Sequence, residues 1–425
     1  MSNQAPGHKF FYGWVIVATA VLGIACSFSV LVLTMTSLYA APLIKEFGWS
    51  SSQIFFGSFL AGIGGVLTAP FIGAISDRLG VRSVLFFSFL FEVLILFSYR
   101  FLSSDVTGYY IRYSLLAVLC MGTTQVVFNR IISAWFNKRL GLALGIAMAG
   151  VGVGGVFWSL VIPRLVEHEG WRNAYTGMAL IIGCVTLPLV VLLTRANPLS
   201  KGQNVDGALT ANAHEHTLEQ EKQGMTLGEA ASTGQYWLMI VVFMLVGTGL
   251  QSVQTQLVPL LLSRGSTALF AANVQASLAF AVICGRVLSG LLLDYFFAAR
   301  VAQVFLIAPI VGTAALILGV SGAPAFVAAM GIGLAVGGES DVVAYLVRRY
   351  FGMKQYSRIY GSFFSAYGTA SAVGPFLTAW GHERVAGGYG TVLWVHVGLL
   401  ALAIALLFGY RRYSLDREPV GAATP

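Results

Sequence analysis

The chain has 425 residues, 57% of them apolar and 10% charged, with a net charge of +8 and a mean hydropathy of +0.79. A water-soluble domain carries about a quarter charged residues, so these values exclude a soluble globular protein. They also exclude a disordered chain, a collagen-like repeat and a disulfide-stapled scaffold. What remains is a bilayer protein, in which about 20 apolar residues cross roughly 30 Å of hydrocarbon.

Apolar stretches fall at 12–38, 54–74, 84–101, 109–134, 142–163, 174–194, 236–262, 271–297, 302–320, 325–347, 359–380 and 391–410. Backbone in lipid must satisfy its own hydrogen bonds, so each stretch predicts a spanning helix. The first is too long for the core of a signal peptide and reads as a retained span. Cys26, Cys120, Cys184 and Cys284 lie inside apolar runs without metal or redox spacing and read as small buried hydrophobes. Between spans six and seven lies a long polar segment, 195–235, containing His214 and His216. The chain therefore reads as a six-helix unit 1–194, a linker 195–235 and a six-helix unit 236–425.

With the N-terminus inside, the inner loops hold 16 Lys and Arg and the outer loops 7, of 25 in all. This bias places both termini and the linker in the cytoplasm. It also accounts for the basic charge without nucleic acid as a partner. Arg130 and Arg286 are left over, because they fall within spans. No GxxxxGK[ST] loop occurs, so ATP-driven transport by this chain is not expected. Neither an enzyme, nor a cofactor, nor a metal is expected.

After span two the chain reads GAISDRLGVR, Gly73 to Arg82, and after span eight GLLLDYFFAAR, Gly290 to Arg300, keeps the same glycine-to-aspartate spacing 217 residues later. The glycine lets helices approach, the acid caps a helix start or locks against a neighbouring end, and the arginines anchor at the interface. Such a repeat implies two related six-helix units. Gly73, Asp77, Arg78, Gly80 and Arg82, with Asp294 as the second-half counterpart, resemble the signature loop of the major facilitator superfamily. That resemblance implies an all-α membrane protein of twelve helices in two pseudo-symmetric six-helix bundles, working as a monomer in the lipid bilayer. WFNKRLGLALGIAMAGVGVGG from Trp135, GGESD from Gly337, RRYFG from Arg348 and the opening FYGWVIV resemble the bacterial monocarboxylate-transporter and oxalate/formate-antiporter branch.

Arg286 lies near mid-depth of span eight, where an arginine costs about 2.5–3.5 kcal/mol unless it meets water or a counter-charge. A guanidinium fork suits a carboxylate, and the branch resembled has a carboxylate-binding arginine in this span. Glu339 and Asp341 lie in span ten, about 12–15 Å from its inner end, and point about 200° apart, so both cannot face one cavity. A carboxylate held there without a full partner is a proton-coupling candidate. Animal monocarboxylate transporters carry an aspartate one turn before the span-eight arginine, where this chain has Val282; the proton role passes to span ten. Oxalate exchangers carry a span-eleven lysine, and alignment puts Tyr367 there, which favours a monoanion over a dianion. Asn129 and Gln251 complete the expected substrate contacts.

Other polar groups leave alternatives open. Arg130 reads as snorkelling to the inner interface or as a second cleft cation. Glu92 reads as paired or beside a water defect, and His396 as structural. Trp14 and Trp135 fit an aromatic belt, and Gly150, Gly152, Gly154 and Gly155 fit close packing across the interface between halves. The sequence thus predicts an inner-membrane secondary carrier of a small monocarboxylate of the lactate or pyruvate kind, with a proton as co-substrate. An organic-anion exchanger or a proton-driven efflux carrier is the alternative.

Overall fold

The computed structural model describes residues 11–207, 223–382, 384 and 388–410. Lys9, His214, His216, Lys222, Arg411, Arg412 and Arg417 lie outside the described residues. The helices are α1 (Gly13–Ala25), α2 (Phe28–Phe47), α3 (Ser51–Leu79), α4 (Val81–Ser98), α5 (Val106–Leu119), α6 (Gln125–Trp135), α7 (Leu140–Met148), α8 (Gly150–Ile181) and α9 (Leu187–Leu193). After the linker come the short α10 (Leu227–Ala231), then α11 (Gly234–Ser263), α12 (Ala268–Tyr295), α13 (Ala298–Ile317), α14 (Ala323–Phe351), α15 (Tyr356–His382) and α16 (Gly388–Leu407).

Among the described residues, nine helical runs are long and apolar enough to span a bilayer, and the α5–α6 pair, bent by 53°, makes a tenth. Gly170, at φ 75°, breaks α8 and divides the Leu140–Leu193 run into two spans. With α15 the count reaches twelve. Span one is α1 and α2, interrupted at Cys26–Ser27. Span four is α5 and α6, interrupted by a tight turn at Met121–Thr123. Helix ends are set by ordinary capping chemistry. Ser50 and Gln53 cap α3 reciprocally. Asp105 accepts the Thr107 N–H at 2.9 Å at the start of α5, and that bond holds its carboxyl below the ordinary value.

The outer surface is apolar. Phe71, Leu79, Leu269, Val327 and Phe376 are each more than 60% exposed, a surface stable against acyl chains and not against water. Cys26 and Cys120 are buried as expected, whereas Cys184 and Cys284 are exposed; a hydrophobe in a membrane protein is as well placed facing lipid as facing the core. Trp135 is fully buried and donates to the Arg195 carbonyl at 2.9 Å, so it holds the start of the linker instead of joining a lipid-facing belt. Of the span-five glycines, Gly152 faces Ile283 across the halves, while Gly150 and Gly154 press on the α1 backbone and Gly155 faces open space.

Glycines bring α12 against two neighbours at once. A Cβ at Gly337 would meet the Val282 carbonyl and, at 3.0 Å, the Arg286 amide; one at Gly285 would meet Leu334 backbone. On the opposite side of α12, Gly141 and Gly290 would each meet the other's carbonyl. The obstacles are backbone atoms, which cannot swing aside. Gly337→Leu should therefore cost at least the ~1–3 kcal/mol of an overpacked core, read as a lower melting temperature of the purified protein; an unchanged melting curve would show that the α12–α14 contact can yield.

Candidate functional site

α12, held between α7 and α14, carries Arg286 about 13 Å from its Tyr295 end. Its guanidinium is half-buried and donates to the Ser340 hydroxyl at 3.2 Å. Among the described residues no carboxylate lies within ion-pair distance of it. Glu339 and Asp341 flank that serine on α14, close enough for Arg286 to act on both electrostatically. Their directions diverge. Glu339 accepts a hydrogen bond from Tyr367, and Asp341, fully buried, accepts from Ser289 at 3.2 Å. Tyr367 in turn accepts from Gln251 at 3.0 Å.

This network stands beside a cavity of about 50 Å3 lined by Gln125, Glu339, Ser340, Tyr360, Phe364 and Tyr367, among others. At roughly 10–15 Å3 of such volume per water, it admits a few waters or a very small solute in this conformation. Glu339 also forms part of the wall of a second cavity, about 20 Å3, lined by the apolar residues Val242, Val246, Ala302, Phe305 and Leu407. That cavity extends towards the end of the bundle that bears the linker, since Val242, Ala302 and Leu407 all sit near that end of their helices.

The structure thus joins Arg286, Glu339, Tyr367 and Gln251 into one polar cluster and leaves Asn129 beside it. Asn129 is fully buried beside Tyr360; of the four expected substrate contacts only Tyr367 is on the cavity wall, with Arg286 behind Ser340 and Gln251 behind Tyr367. Sequence reading passed over Gln125, Ser340 and Tyr360. Gln125 closes the polar run Thr123–Thr124–Gln125 inside span four, an interruption that signals a cleft-facing helix start. Ser340 lies between the two acids and was overshadowed by them.

Arg130 follows neither expected reading. Its Nε donates to Asp77 Oδ1 at 2.7 Å, so it is neither a second cleft cation nor free to snorkel. The other Asp77 oxygen accepts the Arg358 N–H at 3.1 Å, in the first turn of α15. Asp294 does the matching thing in reverse: its two oxygens accept the Gly141 and Leu142 N–H groups at 2.6 and 2.9 Å, in the first turn of α7. Each acid sits on the positive end of a helix from the other side of the linker. Gly73 permits the approach, since a Cβ there would run into Ser357 and Arg358 backbone. Gly80 supplies the φ of +84° that the turn needs, Arg78 is exposed, and Arg82 donates to the Val191 carbonyl at 2.8 Å. Arg349 adds bonds to Asn137 Oδ1 and O at 2.9 and 3.0 Å. These contacts close the linker end of the bundle.

Comparison with known proteins agrees with this architecture. The major facilitator superfamily pattern matches residues 20–375. The chain belongs to the major facilitator superfamily. Its relatives in the superfamily include the uncharacterized MFS-type transporter YhjX of Escherichia coli, 24% identical over 79% of this chain and 80% of that one. The fujikurins efflux protein of Gibberella fujikuroi is 32% identical over 37% of this chain and 32% of its own, and human monocarboxylate transporter 14 is 28% identical over 38% and 32%. The solved structure of the human organic anion transporter MFSD10 superposes with a TM-score of 0.68 at 16% identity, covering 95% of this chain and all of that one; at that identity the likeness shows the fold alone. The protein is a multi-pass transporter-family protein with the major facilitator fold.

Asp294 is the sharper test of the cross-linker caps, because both of its oxygens accept helix amides, whereas one Asp77 oxygen is given to Arg130. Asp294→Ala should raise hydrogen exchange of the Gly141 and Leu142 amides about tenfold, the equivalent of the ~1–2 kcal/mol that a lost cap costs. Unchanged exchange would mean that these amides are held by something else.

Proposed function

We propose that the protein is a secondary active carrier of a small organic monocarboxylate, coupled to protons. The observation that supports this best is Arg286: a half-buried guanidinium in an apolar bundle whose hydrogen bond goes to a neutral hydroxyl, with no carboxylate within ion-pair reach among the described residues. Such a charge is expensive in the membrane, and an anionic solute is a partner that lowers the cost. The guanidinium presents two parallel N–H groups to a carboxylate, and Ser340 and Tyr367 stand by as neutral hydroxyls for the rest of the solute. Monocarboxylate transporters among the relatives favour the same solute class.

In this reading Glu339 carries the proton. Arg286 is attracted to the ionised Glu339 and Asp341 and is less available to an incoming anion. A proton on Glu339 weakens that attraction and loosens the Tyr367 hydroxyl for the solute. Anion and proton bound together leave the site's charge unchanged, so the loaded carrier reorients without working against a potential worth about 2.3 kcal/mol per charge per 100 mV. The second cavity gives Glu339 a small opening on the linker side while the larger cavity lies between the halves. The units 1–194 and 236–425 rock about this level, with 195–235 joining them. In this reading the linker lies in the cytoplasm, and the contacts at Asp77 and Asp294 close the cytoplasmic end.

One finding favours a second reading. The fujikurins efflux protein shares 32% identity over part of the chain, which keeps proton-driven efflux of an amphipathic compound as the alternative. The volume of about 50 Å3 at the cluster favours the small solute.

Two measurements decide. Uptake of labelled lactate or pyruvate into proteoliposomes should rise with an inward-directed proton gradient, and Arg286→Lys should lower it at least tenfold, in line with the roughly 1.5–3 kcal/mol of a charged hydrogen bond; full uptake by the lysine variant would remove the docking role. Glu339→Gln should bring the ratio of uptake with and without the gradient down to about one. If the ratio stays high, the proton is carried elsewhere.

A further inference from the structure

Glu92 is a carboxylate that the cleft does not use. It lies in α4, about 16 Å from the Val81 end, hence at mid-membrane depth. It is fully buried, both oxygens lack a hydrogen-bond partner, and no ion pair reaches it among the described residues. Among the described residues it has no ion-pair partner, so the paired reading of its sequence context does not hold. A bare carboxylate in such a place is expensive enough that it has to be neutralised by something.

The surroundings are unusual for a helix bundle, because three spans lose their regular winding around this point. Span one is broken at Cys26–Ser27 and span four at Cys120–Thr124, and span six widens into a π turn at Ile182–Thr186. α4 touches two of these places directly. Ser88, one turn before Glu92, lies against Gly122, and Val93 lies against Gly183. The breaks are also tied to one another: Thr123 Oγ1 accepts the Phe28 N–H at 3.1 Å and donates to the Cys120 carbonyl at 2.9 Å, while Thr186 donates to Cys26 Sγ at 3.3 Å. Interrupted helices of this kind free oxygen ligands in the low-dielectric interior and mark ion sites in membrane carriers.

Thr123 is the hydroxyl that faces Glu92. That hydroxyl is shared with the Phe28 N–H and the Cys120 carbonyl. A single shared, neutral hydroxyl does not cancel the charge of a fully buried carboxylate, which still calls for something positive beside it. The titratable groups around Glu92 are the thiols of Cys26 and Cys120, which as neutral thiols supply no positive charge.

We propose that Glu92, Thr123 and the interrupted ends of spans one and four form a site for a small monovalent cation, sodium or a proton, inside the first six helices and apart from the cavity at Glu339 and Ser340. The bound cation neutralises Glu92 and pins the broken spans in one arrangement. Its occupancy thereby couples cation binding to the geometry of the half that carries Asp77 and Arg130.

The test reads stability and so does not depend on the carboxylate reading. The full-length protein in detergent is melted against sodium chloride with choline chloride keeping ionic strength constant, across a pH series. For sodium, the melting temperature rises saturably with sodium over choline; for a proton, it is indifferent to sodium and falls as pH is raised. In either case Glu92→Gln, which mimics the neutral acid, removes the dependence. Glu92→Asp withdraws the carboxylate by one methylene and shifts the half-saturating sodium or proton concentration at least tenfold, which decides the matter should Glu92→Gln not fold. A wild-type response to neither cation, or one that both variants reproduce unchanged, overturns the site.

Discussion

A guanidinium placed among hydrocarbon side chains has to be justified by its neighbours, and in this protein everything near the centre is arranged around one. Arg286 is fixed in depth and direction because α12 is clasped on both sides by helices that come close enough to touch backbone to backbone, at Gly337 and Gly285 on one side and at Gly141 and Gly290 on the other. Small residues at such contacts are the means by which membrane helices associate, since lipid offers no hydrophobic drive. The clasp sets Arg286 opposite Ser340, which places a neutral group where a fixed counter-ion would have closed the site. A permanent salt bridge there would satisfy the bundle and leave nothing for a solute.

The same clasp serves the linker end of the molecule. α7 and α12 meet through Gly141 and Gly290, and one turn further Asp294 bonds the first-turn amides of α7. α3 and α15 meet in the related way through Gly73 and Asp77. Each contact joins a charge to a helix end, with Arg130 and Arg349 acting electrostatically on the two acids, and a helix-end bond of that kind is broken and remade at a cost of about 1–2 kcal/mol. A seal made of a few such contacts is strong enough to define a state and weak enough to be traded for another, as a rocking carrier requires.

Three carboxylates have oxygens without a hydrogen-bond partner among the described residues, Glu339 and Asp341 near the cleft and Glu92 within the first six helices, and the two proposals assign the proton to Glu339 and a cation to Glu92. Glu339 touches both cavities and is hydrogen-bonded by Tyr367. Glu92 communicates with helix breaks. Their tests read different quantities, flux for one and melting for the other, so the two assignments stand or fall separately.

Composition and periodic apolar runs alone determined that this chain lies in a membrane as twelve helices, because the thickness of hydrocarbon leaves few other ways to place so many apolar residues. The repeated glycine-to-aspartate spacing marked where the ends of the bundle lock, and the rarity of charge inside spans singled out Arg286, Glu339 and Asp341. Partnership was another matter. That Arg130 belongs to Asp77, that Ser340 and not a carboxylate receives Arg286, that Tyr367 bonds Glu339 and that Glu92 has no partner are facts about residues 28 to 54 positions apart, or about a gap where a partner would be. Helical periodicity says which residues share a face of one helix and nothing of the rotation and depth at which two helices meet. Those are set by backbone contacts at glycines, which only the packed structure fixes.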